Sequence, residues 1–382
     1  MKKIKTRLVL HFPGFEPLDA AAHHQRYIRS AAQASKVWEA DFAVKPLVQD
    51  DGGARFDVDA RAEEWQVRST IHVYDHNDLI AEMRSELLWR QLLSGYCAAV
   101  HIVLQGGAGG YLRHAWRFGL FFLFPFLFVG LAMVLSLTMA ALPVVLGLSS
   151  WLFGLSVPAA LGFFVFLFVP YSNRFHTLHL FADWRLALAV ARDDEAVRAW
   201  VEKSADHMLK ALKQDVDEVL ISAHSMGASL AIAAIGRVLE KEPEAFADRD
   251  VTFVTLGGAA LQCALLSSAT TLRRRVGALA RNRDVFWFDI QCLTDPIHLY
   301  RCHTVALSGH ADAPQPKLVF IRFKHALSPE RYRKNRRDLL RMHRQYILGP
   351  DRKSGFDFTL MTAGPLPAAS FVDLKSDQPP IL

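Results

Sequence analysis

The sequence predicts an α/β fold, a mostly parallel β-sheet with flanking helices, interrupted by a two-helix transmembrane hairpin. Three observations lead there. Short continuous apolar runs alternate with helical segments through the C-terminal half, as in parallel strands covered on both faces. No Asp, Glu, Lys or Arg occurs from Phe118 through Asn173, in a chain that is 21% charged. With 382 residues, 51% of them hydrophobic, the chain has enough apolar side chain for a large core.

Taken in order, Thr6–Phe12 (TRLVLHF) is β-rich and reads as a strand, and Pro17–Trp38 as a helix. Ala54–Asp75 reads as two strands and the region around Leu79–Tyr96 as a helix. Gln105–Gly110 (QGGAGG) lacks the Lys-Ser/Thr of a phosphate loop and reads as a hinge into the membrane. Phe118–Leu142 and Trp151–Pro170 each reach the roughly 20 apolar residues that cross a bilayer, and PVVLGLSS joins them. Pro125 and Pro158 are compatible with membrane helices, where neighbours satisfy the freed carbonyls. Asp194–Gln214 follows with helical periodicity. Glu218–Ala223, Asp250–Gly258, Asp284–Ile290 and Lys317–Phe323 then read as strands, a basic helix following the last. The chain divides into 1–117, the hairpin 118–173, and 174–382, with the first and last parts forming one α/β domain.

Arg113 and Arg117 precede the first span, Arg174 and Arg185 follow the second, and the turn has no basic residue. The positive-inside rule therefore places both ends in the cytoplasm of an inner or plasma membrane protein. Only Leu8–Leu10 could serve as an apolar region of a leader, so no cleavage is expected. Four cysteines without a CxxC pair fit reduced thiols. The net charge of +6 is carried largely by Thr271–Arg283 and Arg331–Arg344. The lipid surface is the expected partner for these runs rather than nucleic acid, with a solvated helix face as the alternative.

Val219–Ile235 (VLISAHSMGASLAIAAI) sets Ser225 at a strand-to-helix junction. In an open parallel sheet the functional crevice lies at the carboxyl ends of the strands. A tight turn there strains its central residue and needs small neighbours, and Ala223 and Gly227 stand two positions to either side. The motif AHSMG resembles the G-x-S-x-G nucleophile elbow of the α/β-hydrolase superfamily and its lipase-like members, with Ala223 replacing the first Gly.

That resemblance implies a nucleophilic Ser225, then an acid, then a histidine, each after a later strand. Asp295, in TDP after the Asp284–Ile290 strand, is similar to the Asp-Pro turn that carries the acid in lipase-like relatives. Asp289 is its rival but lies within the strand. His343 is similar to the histidine near a C-terminal tyrosine in such enzymes, here Tyr346. His325, directly after the last strand, is the alternative, followed by His298, His303 and His310. The oxyanion hole is expected from the backbone N–H groups of Met226 and of Phe15, because Pro13 cannot donate. His72 with His76, and His176 with His179, have helix-like spacing but no third ligand, and neither a metal nor a cofactor is expected.

The resemblance implies a membrane-anchored serine hydrolase acting on carboxylic esters, lipid or other apolar acyl substrates included, through an acyl-enzyme. The competing expectation is a non-catalytic membrane protein that keeps the fold as an interaction platform.

Overall fold

A computed structural model describes residues 3–50 and 53–382. Its strands are β1 (Thr6–Phe12), β2 (Asp41–Val44), β3 (Val48–Asp50), β4 (Gly53–Ala62), β5 (Trp65–Val73), β6 (Glu218–His224), β7 (Val251–Leu256), β8 (Val285–Cys292) and β9 (Lys317–Ile321). They form a nine-stranded sheet in the order β2-β4-β5-β1-β6-β7-β8-β9, with β3 on β4. β5, β1 and β6 to β9 run parallel, while β2, β3 and β4 pair antiparallel at one end. Every residue of β6 and β7 is buried, as their unbroken apolar runs require. β4 and the first part of β5 alternate buried and more exposed positions. Apolar cores lie on both faces.

β1 and β6 are separated by the whole hairpin in sequence, yet lie side by side. Arg7 pairs with Glu218 in the β1–β6 register. Its Nε donates to Glu218 Oε2 at 2.6 Å, and the guanidinium also donates to the carbonyls of Gly364 (2.9 Å) and Leu366 (2.6 Å). Both side chains are fully buried. A charge removed from water is tolerable only with such complete pairing, so this bond locks the register between the two halves of the domain.

The two long apolar helices are Trp116–Val145, of mean hydropathy 2.6, and the continuous helical stretch Ser150–Phe175, of mean hydropathy 2.3. Both are long and apolar enough to cross a membrane. At 1.5 Å per residue the first runs to about 45 Å, more than the ~30 Å of a hydrocarbon core, and its first turns belong to the α/β core instead. Phe118 and Phe122 are buried against Trp184, with ring centroids 5.7 and 4.7 Å away, and Phe126 packs at a tilt against Phe181. Beyond them Leu127, Leu131, Val134 and Leu137 are exposed. The second helix widens to a π turn at Phe163–Phe168, just before Pro170, which cannot supply the N–H for a regular turn.

The expected helix around Leu79–Tyr96 is two helices, Asn77–Ser85 and Leu88–Leu104. Glu86 leaves helical geometry between them, and its carboxylate accepts bonds of 2.9 and 2.8 Å from Arg185. That ion pair with the helix Thr177–Arg192 accompanies the break. Helix Leu88–Leu104 exposes Trp89, Leu93, Val100, Val103 and Leu104, while its Tyr96 hydroxyl donates to the Phe126 carbonyl at 2.9 Å. Gly106, in the QGGAGG stretch, takes φ +81°, a conformation suited to glycine, and opens a short helix, Gly107–His114, that leads into the first long apolar helix.

The basic run Thr271–Arg283 lies largely on helix Thr270–Arg281, and much of its charge is used internally. Arg274 and Arg275 pair with Glu240, Arg281 with Asp312, and Arg273 donates to the carbonyls of Ala264, Leu266 and Ser267.

Candidate active site

Ser225 follows β6 directly and precedes helix Gly227–Lys241. Its φ is +53°, a left-handed conformation that a non-glycine residue occupies only where the surroundings enforce it. The enforcement is visible. A Cβ on Gly227 would stand 2.3 Å from the Phe12 carbonyl oxygen and 2.4 Å from that of Pro13, so the end of β1 presses against the turn and only glycine fits. Ala223 is fully buried between Phe12 and Thr255 in the sheet register. From Val219 to Ile235, Ser225 alone is not buried.

Ser225 and His343 line one small cavity of about 40 Å³. His343 ends the short helix Leu339–His343, and its Nδ1 donates to Asp295 Oδ2 at 2.7 Å. Its Nε2 is buried with no hydrogen-bond partner among the described residues. With Nδ1 carrying the proton, Nε2 presents a lone pair to the cavity, the tautomer a general base needs. Asp295 is buried in the turn after β8, where Oδ1 accepts the Ile297 amide at 3.0 Å. Burial alone would raise its pKa, but the imidazoles of His343 and of His298, whose Nδ1 lies 3.2 Å from the same oxygen, hold it well below the ordinary carboxylate range.

The alternatives fall elsewhere. Asp289 is held within the sheet by Thr255 (2.7 Å) and Gln291 (2.6 Å). His325 Nδ1 bonds the Ser376 hydroxyl at 3.1 Å, and His310 packs on Gly277 and bonds the Arg273 carbonyl. Neither histidine lines the Ser225 cavity.

The loop after β1 brings Gly14, Phe15 and Glu16 to the cavity. A Cβ on Gly14 would lie 3.0 Å from Ser225 Cβ and 2.8 Å from His224 Nδ1, so this backbone passes directly over the elbow. The amides of Phe15 and Met226 donate to no protein acceptor among the described hydrogen bonds. The loop is pinned from two sides, because Glu16 is clasped by Arg26 and Arg344, and His179 Nε2 donates to the Phe15 carbonyl at 3.2 Å. Burial opposes the Glu16 charge, but the two guanidiniums more than offset it and bring the pKa down to about 2.

Sequence reasoning missed several residues of this site. His224 donates from Nε2 to the His343 carbonyl at 3.1 Å, and its ring lies 4.7 Å from that of His343. Burial, then the neighbouring His343, holds its pKa well below normal, so it is neutral. Tyr346, already noted in the sequence beside His343, accepts the Cys292 amide at 2.8 Å and packs against His343. Asp183 and Gln262 face each other across the cavity, Gln262 Nε2 donating to Asp183 Oδ2 at 3.0 Å. Burial raises the Asp183 pKa to about 7. Asp183 and His179 lie one turn apart on the helix that follows the second long apolar helix, and Phe121 of the first long apolar helix also reaches the cavity. The only local signal was Asp183 as a lone acid in an apolar helix.

Among the described residues, no group of three His, Cys, Asp or Glu side chains is placed to hold a metal ion. No protein-family model, curated protein or solved structure matches the chain, so what the site does rests on its geometry.

Proposed function

We propose that the chain is a membrane-anchored serine hydrolase of the α/β-hydrolase type that cleaves carboxylic esters. The observation that supports it most is the hydrogen-bonded Asp295–His343 pair, whose unpartnered Nε2 shares a cavity with Ser225 on a strained elbow. Ser225 Oγ attacks the acyl carbon as His343 Nε2 takes its proton. The oxyanion of the tetrahedral intermediate accepts from the Met226 and Phe15 amides. The ester C–O bond then breaks, and the leaving alkoxide takes the proton from His343. A water activated by the same Nε2 cleaves the acyl-Ser225 ester, releasing the acid and restoring the hydroxyl. Asp295 stays ionised, fixes the His343 tautomer and stabilises the imidazolium in each half-reaction.

A fluorophosphonate probe tests this directly. The full chain is expected to label at Ser225 and the Ser225→Ala variant not at all. Equal labelling of both proteins would remove the assignment, and absence of labelling in the unaltered protein would favour the platform reading.

A further inference from the structure

The cavity around Ser225 has room for about three water molecules, since one needs roughly 10–15 Å³ of such space and the cavity offers about 40 Å³. An acyl group and its leaving alcohol need far more. The additional space lies next to it. A chamber of about 420 Å³ shares Phe121, Leu180 and Leu340 with the Ser225 cavity and extends away from it past Phe124, Phe175 and Leu339.

This chamber sits between the feet of the hairpin. Phe121 and Phe124 lie in the first turns of one span and Phe175 ends the other. Beside it, Tyr96 ties helix Leu88–Leu104, with its exposed Trp89, Leu93 and Val100, to the first span at Phe126. An exposed apolar helix face alongside two long apolar helices is the arrangement that seats in the interfacial layer of a bilayer, which would set the chamber at headgroup depth.

Besides its apolar residues the chamber is lined by Arg174, His176, Arg337 and Asp338. Neither guanidinium has a carboxylate partner among the described residues; Arg174 lies over the Tyr171 ring. The acid in the same wall, Asp338, is engaged by Arg341, whose amide donates to Oδ1 at 3.0 Å and whose Nε lies 3.7 Å from Oδ2, and the next cation along the chain, Arg344, is bound to Glu16. A largely apolar chamber whose wall carries two guanidiniums without a carboxylate partner among the described residues, against one carboxylate engaged by Arg341, is net positive and matches an amphiphile with an anionic head.

We propose that the chamber takes an anionic acyl-ester phospholipid directly from the membrane, its phosphate on Arg174 and Arg337, its chain among Phe121, Phe124, Phe175 and Leu339, and its ester carbonyl at Ser225. This rests on the hydrolase reading for the chemistry and on the chamber for the substrate class. Fatty acid and a lysophospholipid are the products, since Ser225 takes the acyl group and water releases it.

The test uses the full chain in vesicles of phosphatidylglycerol or of phosphatidylcholine, with fatty-acid release as readout and labelling by a small fluorophosphonate as control. Phosphatidylglycerol is expected to be cleaved roughly tenfold to thirtyfold faster, the preference that two guanidiniums at an anionic surface supply. Arg174→Gln with Arg337→Gln should abolish that preference and leave labelling intact, and Leu339→Trp should slow release from both vesicles without changing labelling. Equal rates on the two lipids, a preference that survives the Arg substitutions, or labelling that falls in parallel with release would each overturn the proposal. A separate arm keeps it apart from the hydrolase reading. In the Ser225→Ala protein, a phosphatidylglycerol with a photoreactive chain should crosslink to Leu340 and Leu180, and the double Arg variant should lose these crosslinks. Crosslinks confined to outward positions such as Leu131 and Phe166 would refute the chamber whatever the labelling shows.

Discussion

Replacing Asp183 by Asn should change how stability depends on pH, by an amount that follows from its surroundings. Asp183 is buried on helix Thr177–Arg192, beside Gln262 and facing the Ser225 cavity. Burial lifts its pKa from 3.8 to about 7, while the Gln262 bond and the nearby His343 act the other way. A raised carboxyl pKa means that the folded state holds a proton which the unfolded chain has already released. Stability from this group is therefore full below pH 3.8 and falls as pH rises towards 7. Between pH 5 and pH 8 the loss covers the two pH units below 7, about 3 kcal/mol at ~1.4 kcal/mol for each unit. Asn keeps an oxygen for the Gln262 amide and carries no charge. Denaturant melts of wild type and Asp183→Asn in the same detergent, at pH 5 and pH 8, isolate the effect, because other groups, Asp357 among them with its pKa raised by burial to about 6, titrate alike in both. Asp183→Asn should gain about 3 kcal/mol on wild type between these pH values. Parallel stability curves would show that the carboxyl is ionised or solvated in the folded protein and refute the argument.

Two further substitutions probe the elbow and the base. His343→Ala should lower turnover by roughly 10³ to 10⁶, the scale of losing a triad member, while His325→Ala, whose ring bonds Ser376 away from the cavity, should stay near wild type in an ester-hydrolysis assay; the reverse pattern would move the role to His325. Gly227→Ala should cost about 1–3 kcal/mol in a thermal melt and weaken Ser225 labelling, because the added methyl meets the rigid backbone oxygens of Phe12 and Pro13; an unchanged melting temperature would mean that the loop and elbow are not packed so closely.

The parallel strands were legible because both faces are covered, so that their apolar runs are unbroken, and the elbow because its steric needs are local: small residues at fixed distances from Ser225. Asp295 and His343 could be proposed only through resemblance, from chain order, the Asp-Pro turn and the nearby Tyr346, and the two are hydrogen-bonded in the fold. The remaining features depend on contacts distant in sequence. Nothing near Glu86 signals that Arg185 will hold it where a helix would otherwise continue. Phe118 to Phe126 read as lipid-facing because an apolar residue has the same composition whether it meets lipid or a protein core, and only the position of Trp184 separates the cases. The clasp of Glu16 by Arg26 and Arg344 joins residues at opposite ends of the sequence. The internal pairing of the basic run Thr271–Arg283 was not legible for the same reason, since Glu240 and Asp312, its partners, lie outside it.

The place of β1 in the sheet imposes an order on biosynthesis. β1 has β5 on one edge and β6 on the other, and β6 emerges from the ribosome only after both apolar helices. Until then β1 presents an open edge of unpaired amides and carbonyls, a template for unwanted strand pairing, and Arg7 waits without Glu218. The N-terminal part can collect its own antiparallel strands as it is made, but its sheet cannot close before the hairpin has been synthesised. Ser225, Asp295 and His343 all follow that point, so the candidate site is assembled last, on a chain whose two long apolar helices have already been made.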